Sequence, residues 1–215
     1  VMFCRGNISE KIRFGKLVQR GEIVLDLYSG IGYFTVPALV HGEAEYLYAC
    51  EWNPNAVEAL LFNLQDNGVS ERATVYTGDC RVVAKENNLV NMFDRVSLGL
   101  IPSSEGGWRT AVRAIRNDTG GWLHVHANFP VKEVGSWSVW LCCCLRDIIR
   151  EEDKPDNWVV LCTHVEKVKS FAPTVNHYVA DVFVGPADRL PFDIEMKAGH
   201  AAVLHDDQTV EHCPA

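Results

Sequence analysis

Nowhere in the 215 residues does an uninterrupted apolar run approach the ~20 needed to cross a bilayer, and residues 1–20 lack the apolar centre of a secretion signal. A soluble, cytoplasmic protein without a membrane partner is the expectation. Basic residues are in the minority, 20 Lys plus Arg against 28 Asp plus Glu, for a formal charge of −8. That balance excludes a self-sufficient nucleic-acid binder driven by phosphate neutralisation, so any RNA contact needs a local basic patch or another domain. Cys-x-x-Cys pairs are missing as well. Of the eight cysteines, Cys142, Cys143 and Cys144 are adjacent, and successive helical residues point ~100° apart, too far to converge on one metal. Reduced, mostly buried thiols and no metal site are expected. Internal repeats and low-complexity blocks are also lacking.

What the chain does have is 47% hydrophobic residues, enough for one sizeable core. Apolar β-rich runs at 23–28, 46–51, 73–77, 93–100 and 122–127 alternate with helical periods, the clearest at 55–66 and 132–151. This alternation predicts an α/β fold, a parallel sheet with helices on both faces and its ligand at the carboxyl ends of the strands. Extended runs at 157–169 and 176–184, joined by a loop containing Pro173, read as an antiparallel hairpin. A Rossmann-like, mostly parallel sheet of seven strands ending in such a hairpin resembles the class I methyltransferase architecture. Residues 1–20 read as an opening segment and 21–184 as a cofactor-binding catalytic domain. From 185 to 215, Pro186, Pro191 and Pro214 among scattered Asp and His show no period, which predicts an irregular tail with one strand at most.

The sharpest local signal is Asp26-Leu27-Tyr28-Ser29-Gly30-Ile31-Gly32, running from a buried strand through a glycine turn into a helix over 33–40. Glycine lets backbone approach a ligand closely. A dinucleotide fingerprint has a third glycine where this chain has Thr35, which weakens a nicotinamide reading. An acid placed as Asp26 is suits a ligand with an ammonium and no pyrophosphate, such as the methionine part of S-adenosylmethionine. Glu51 ends the next strand, where a carboxylate accepts both hydroxyls of a ribose, and Asn53-Pro54 starts the following helix. At the third strand end, Gly78-Asp79-Cys80-Arg81 places a carboxylate for an adenine amino group. An acid at a strand end is often only solvated; three at successive strand ends beside a glycine turn point to adenosylmethionine.

The fourth strand ends in Leu98-Gly99-Leu100-Ile101-Pro102-Ser103-Ser104, without the Asn or Asp that holds an attacking exocyclic amine, and no cysteine nucleophile stands beside a proline there. The site positions its reactants without an obvious catalytic base, and no catalytic residue is assigned.

These motifs carry a resemblance. Met2 to Gly15 is similar to the opening segment of the tRNA wybutosine-synthesising aminocarboxypropyltransferases, relatives of the tRNA guanine-N1 methyltransferases. Leu98 to Glu105 resembles the family's fourth motif, and 168–173 with 177–181 its terminal hairpin. The resemblance implies transfer of the 3-amino-3-carboxypropyl group of S-adenosylmethionine to 4-demethylwyosine in tRNA(Phe). It also implies a monomer that needs an N-terminal tRNA-binding region. Cofactor contacts carried over from the family fall on Cys4, Lys11, Glu51, Asp79 and Cys80, where the family has Ser at the first position and Asn at the last. Asp26, Tyr28, Gly30 and Gly32 complete the expected cofactor set; Arg5, Asn7, Pro102 and Arg109 are the expected substrate contacts. Arg109, Arg113 and Arg116 recur at helical spacing, as a basic stripe toward phosphates or a solvated face. His124 and His126 share a strand face without an apparent third metal ligand. Two rivals stay open, a guanine-N1 methyltransferase and a binding module without turnover.

Overall fold

A computed structural model describes residues 7–190 and 194–214. The chain forms one nine-stranded sheet in the order β3-β2-β1-β4-β5-β7-β6-β8-β9. The strands are β1 (Ile23–Asp26), β2 (Tyr46–Glu51), β3 (Ala73–Thr77), β4 (Arg95–Leu98), β5 (Gly121–Pro130), β6 (Trp158–Ala172), β7 (Val175–Pro186), β8 (Ala201–Leu204) and β9 (Val210–His212). The first five run parallel, β7 runs antiparallel to both β5 and β6, and strand order reverses between β1 and β4. That reversal opens a crevice at the carboxyl ends of the strands.

The expected α/β sheet and hairpin are present, but the strand count is nine rather than seven. Both extra strands come from the segment read as an irregular tail. Ala201-Ala202-Val203-Leu204 is too short to show a period, and it is held as a strand by parallel pairing to β6 and antiparallel pairing to β9.

Helices α1 (Ile8–Leu17), α2 (Thr35–Val40) and α3 (Pro54–Asp66) cover one face of the sheet; α4 (Cys80–Glu86), α5 (Glu105–Ala114) and α6 (Val134–Glu151) cover the other. Asn53 starts α3 as the sequence implies, its side chain accepting from Asn55 N at 3.0 Å ahead of Pro54. Helix α6 buries Trp137, Leu141, Cys142, Leu145 and Ile149, one stripe at helical spacing.

The two faces differ in chemistry because side chains alternate along a strand. On the α4–α6 side, β5 contributes Leu123, Val125 and Ala127 to the apolar core. On the α1–α3 side it presents His124, His126 and Asn128. There a buried chain of polar groups crosses the sheet. Arg13 of α1 donates to Glu10 at 2.7 Å and to Asp181 of β7 at 3.0 Å; His124 Nδ1 lies 2.7 Å from Asp181, and His124 Nε2 lies 2.7 Å from Arg95. Arg95 ends the chain on Glu22 at 2.7 and 2.8 Å. Since a guanidinium only donates, His124 Nε2 accepts and its Nδ1–H donates to Asp181, which fixes the neutral tautomer.

Burial lowers the pKa of His124 and His126, and lowers that of His177 to about 4. Folded values below the unfolded one mean that unfolding takes up protons. Their stabilisation is complete above the unfolded pKa of about 6.5 and is lost as pH falls toward about 4. Asp26, raised by burial to about 6, acts in the opposite sense, its contribution fading as pH rises through that value. Glu10, raised by burial, acts in the same sense as Asp26; three histidines outweigh these two carboxylates, so unfolding free energy from urea titration is expected to drop between pH 7 and pH 4.5. A flat profile across that range would contradict the buried neutral histidines.

Candidate functional site

A cleft of about 320 Å³ opens at the carboxyl ends of β1, β2 and β3. Tyr28, Glu51, Asp79 and Cys80 all line it, so the structure brings together four residues named from sequence. Two other depressions, of about 340 and 570 Å³, lie beside Lys154, where Arg81 borders both it and the cleft, and over the Arg13–Asp181 pair.

Glu51 organises the cleft. One carboxylate oxygen accepts from Gly30 N and the other from Asn53 N, each at 2.8 Å, so the residue ties the glycine turn to the loop that starts α3. A carboxylate has about four lone-pair directions, so two remain after these bonds, on a residue that lines the cleft. The turn itself needs glycine. Gly30 and Gly32 have φ of +56° and +99°, and a Cβ on Gly32 would lie 3.0 Å from both Leu60 and Val36. Gly32 therefore faces the packed helices, while Gly30 presents its amide to Glu51.

Asp26 does not line the cleft. It is fully buried beneath the turn, where Thr35 Oγ1 donates to it at 2.8 Å and Tyr28 N at 3.4 Å. The carboxylate expected to meet a ligand ammonium instead fixes the strand-to-helix turn from below. Thr35, noted in the sequence only as a missing glycine, is its main partner.

Asp79 caps α4 by accepting from Arg81 N at 2.9 Å, and it pairs with the Arg81 side chain at 2.9 Å. Arg81 hydrogen bonding holds its pKa down to about 2. Any adenine amino group shares that carboxylate with Arg81. Cys80 is buried at the first position of α4 against Tyr28, and burial pushes its thiol pKa up.

Lys11 lies on the other side of the turn, its ammonium 4.4 Å from the Tyr33 ring centroid, beside Gly32 in a shallow depression. Asn7 immediately precedes α1. Pro102 sits in the loop after β4, its carbonyl accepting from Asn128 N at 2.9 Å. Arg109 pairs with Glu151 and Glu152, Arg113 pairs with Glu152, and Arg116 with Asp94 at 2.9 Å. The stripe, which the sequence left open between phosphates and a solvated face, is paired with carboxylates distant in sequence. Cys4 and Arg5 lie outside the described residues.

Sequence reasoning passed over Trp52. It follows Glu51, lines the cleft and is 80% exposed. An aromatic directly after a strand-end acid was the available signal, since a large exposed ring at a cleft mouth offers a stacking face. The paired histidines His126 and His177 were also missed as a pair, because their contact depends on the β5–β7 register.

A doubly wound sheet closed by an antiparallel hairpin, with a Gly-rich turn and an acid at the end of β2, defines a class I methyltransferase-like domain. The TRM5/TYW2 methyltransferase domain family matches residues 1–134, and the chain belongs to that family. It is 49% identical over 181 residues to the tRNA wybutosine-synthesizing protein 2/3/4 of Arabidopsis thaliana, covering 84% of this chain and 18% of that protein. It is 40% identical over 218 residues to the tRNA wybutosine-synthesizing protein 2 homolog of Danio rerio, covering 86% and 51%. The chain thus spans about half or less of these curated relatives. Among solved structures, P. horikoshii TYW2 in complex with MeSAdo superposes with a TM-score of 0.73 at 26% identity, covering 86% of this chain and 64% of that one.

Proposed function

We propose that this chain is the catalytic domain of a cytoplasmic tRNA aminocarboxypropyltransferase. It acts as a monomer and transfers the 3-amino-3-carboxypropyl group of S-adenosylmethionine to 4-demethylwyosine at position 37 of tRNA(Phe) in wybutosine synthesis. The observation that carries the reading is Glu51, which holds the glycine turn, lines the cleft and retains acceptor capacity for two ribose hydroxyls. The names of the relatives supply the choice of substrate.

The residues present fit the co-substrate. Glu51 would take the ribose, Trp52 and Leu100 the faces of the adenine, and Asp79 its amino edge. What S-adenosylmethionine supplies when bound is a sulfonium with electrophilic carbons. The protein's part is orientation: the Tyr28–Gly30 turn and the loop after β4 decide which side of the cleft faces the acceptor. The loop offers no free carboxylate before Glu105, and that side chain accepts from Ser103 at 2.7 Å. An electron-rich aromatic carbon as acceptor fits this arrangement better than a ring nitrogen that must lose a proton.

Mass spectrometry of tRNA carrying 4-demethylwyosine, after incubation with the chain and adenosylmethionine, tests the reading. Methylthioadenosine and a tRNA heavier by the aminocarboxypropyl group are expected, and cofactor addition should change the tryptophan fluorescence of the parent chain but not of Trp52→Leu. S-adenosylhomocysteine with methylguanosine as the main products would establish the guanine-N1 methyltransferase instead.

A further inference from the structure

Four buried side-chain atoms near the end of β5 have no hydrogen-bond partner among the described residues: His126 Nε2, His177 Nδ1 and both amide atoms of Asn128. Folded proteins satisfy nearly all such groups, so a cluster of them calls for a cause. Asn128 and His177 are cross-strand neighbours in the β5–β7 register, and His126 Nδ1 lies 3.0 Å from His177 Nε2. The cluster stands at the carboxyl end of β5. Asn128 N is bonded to Pro102 O, and Leu100 of the same loop lines the cofactor cleft. The end of β5 is thus tied, through the Pro102 carbonyl, to the loop whose Leu100 borders the cleft.

We propose that Asn128 and His177 form the acceptor-base site, hydrogen-bonding the polar edge of a flat, neutral heterocycle brought to the carboxyl end of β5. The inference rests on the transferase reading above and adds the residues that read the base. The amide offers one acceptor oxygen and an NH₂ donor. In the histidine pair, whichever nitrogen carries the shared proton, the neutral pair leaves one N–H and one lone pair at its two outer nitrogens. His177 Nδ1 can thus present either a donor or an acceptor. Burial keeps both rings neutral, which suits an uncharged base and not a phosphate. The groups are already out of water, so a base edge that reaches them gains bonds without a fresh desolvation cost. Asn128 is only partly buried as a residue, while its amide atoms and His177 are closed to solvent, so a rotation of the Asn128 side chain is what would open the site to a base at the sheet's carboxyl edge.

The test uses the full chain, adenosylmethionine and tRNA carrying 4-demethylwyosine, with Asn128→Leu and His177→Phe. Each variant is expected to raise KM for the tRNA about tenfold or more with a smaller effect on kcat, and to leave the adenosylmethionine Kd within about twofold. Asn128→Leu should also unfold at an equal or higher temperature than the parent, since it removes unpaired buried groups. His177→Asn, which keeps a donor and an acceptor, should recover part of the loss. If the parent chain transfers the group and both variants keep its KM, or if Asn128→Leu lowers Tm while leaving KM unchanged, the residues are structural and the inference falls alone. If the parent makes no methylthioadenosine from this tRNA, the transferase reading falls and carries the inference with it.

Discussion

Glu51→Ala is expected to weaken adenosylmethionine binding by ~2 kcal/mol or more, about thirtyfold in Kd, as loss of a charged acceptor in a partly buried site does. The structure adds a second reason. The same carboxylate accepts from Gly30 N and Asn53 N, so its removal leaves two amides unpaired and loosens the glycine turn that borders the cleft. Glu51→Gln separates the contributions, because the carboxamide keeps one acceptor oxygen and puts a donor NH₂ where the other stood. Calorimetry should place it between parent and Ala. A folded Glu51→Ala protein with unchanged Kd would remove Glu51 from the ribose role.

Asp181→Ala is expected to cost about 3–5 kcal/mol of stability, the range for removing one partner of a buried ion pair. Arg13 and the His124 N–H both lose their acceptor, and Arg13 keeps only Glu10. Burial alone would raise the Asp181 pKa, but His124 and Arg13 more than offset it and hold the carboxyl below its ordinary value. Its contribution is present above about pH 4 and is lost as pH falls below that. Urea unfolding at pH 7 reads the effect directly. A change of less than about 1 kcal/mol would mean the polar chain under α1 has little energetic weight. Replacing the partners together by apolar residues should cost much less than the single change, because no charge is then left buried alone.

Much of this was visible in the residues. The acid and glycines at 26–32, the acid at 51 and the cap at Asn53-Pro54 act locally, within one strand-turn-helix unit, and the structure has them where local chemistry puts them. What misled was depth. Nothing near Asp26 in the sequence separates a carboxylate facing a ligand from one sealed under the turn, since that depends on Thr35 closing over it. Arg109 and Arg113 looked free because Glu151 and Glu152 lie about forty residues further on. His124 and His126 were legible as one strand face, yet their partners Asp181 and His177 arrive through an antiparallel strand more than fifty residues later. Lys154 shows the same limit: an ordinary charged residue in the sequence, it is buried against Asn91 Oδ1, Asn117 Oδ1 and the Ile115 carbonyl.

The last two strands shield an edge. Without β8, the 158–162 stretch of β6, buried along its whole length, would offer a row of open amides and carbonyls with apolar side chains around them. That is the template on which chains pair with one another and precipitate. Instead β8 covers it, Met196 and Ala202 pack beside Val159 and Leu161, and Cys213 Sγ reaches the Val139 carbonyl of α6 at 3.5 Å. The exposed rim then passes to β9, three residues long and bearing Glu211 and His212, a strand too short and too polar to recruit a neighbour. Strands β8 and β9 thus act as a guard on solubility: a chain lacking them is expected to aggregate through β6.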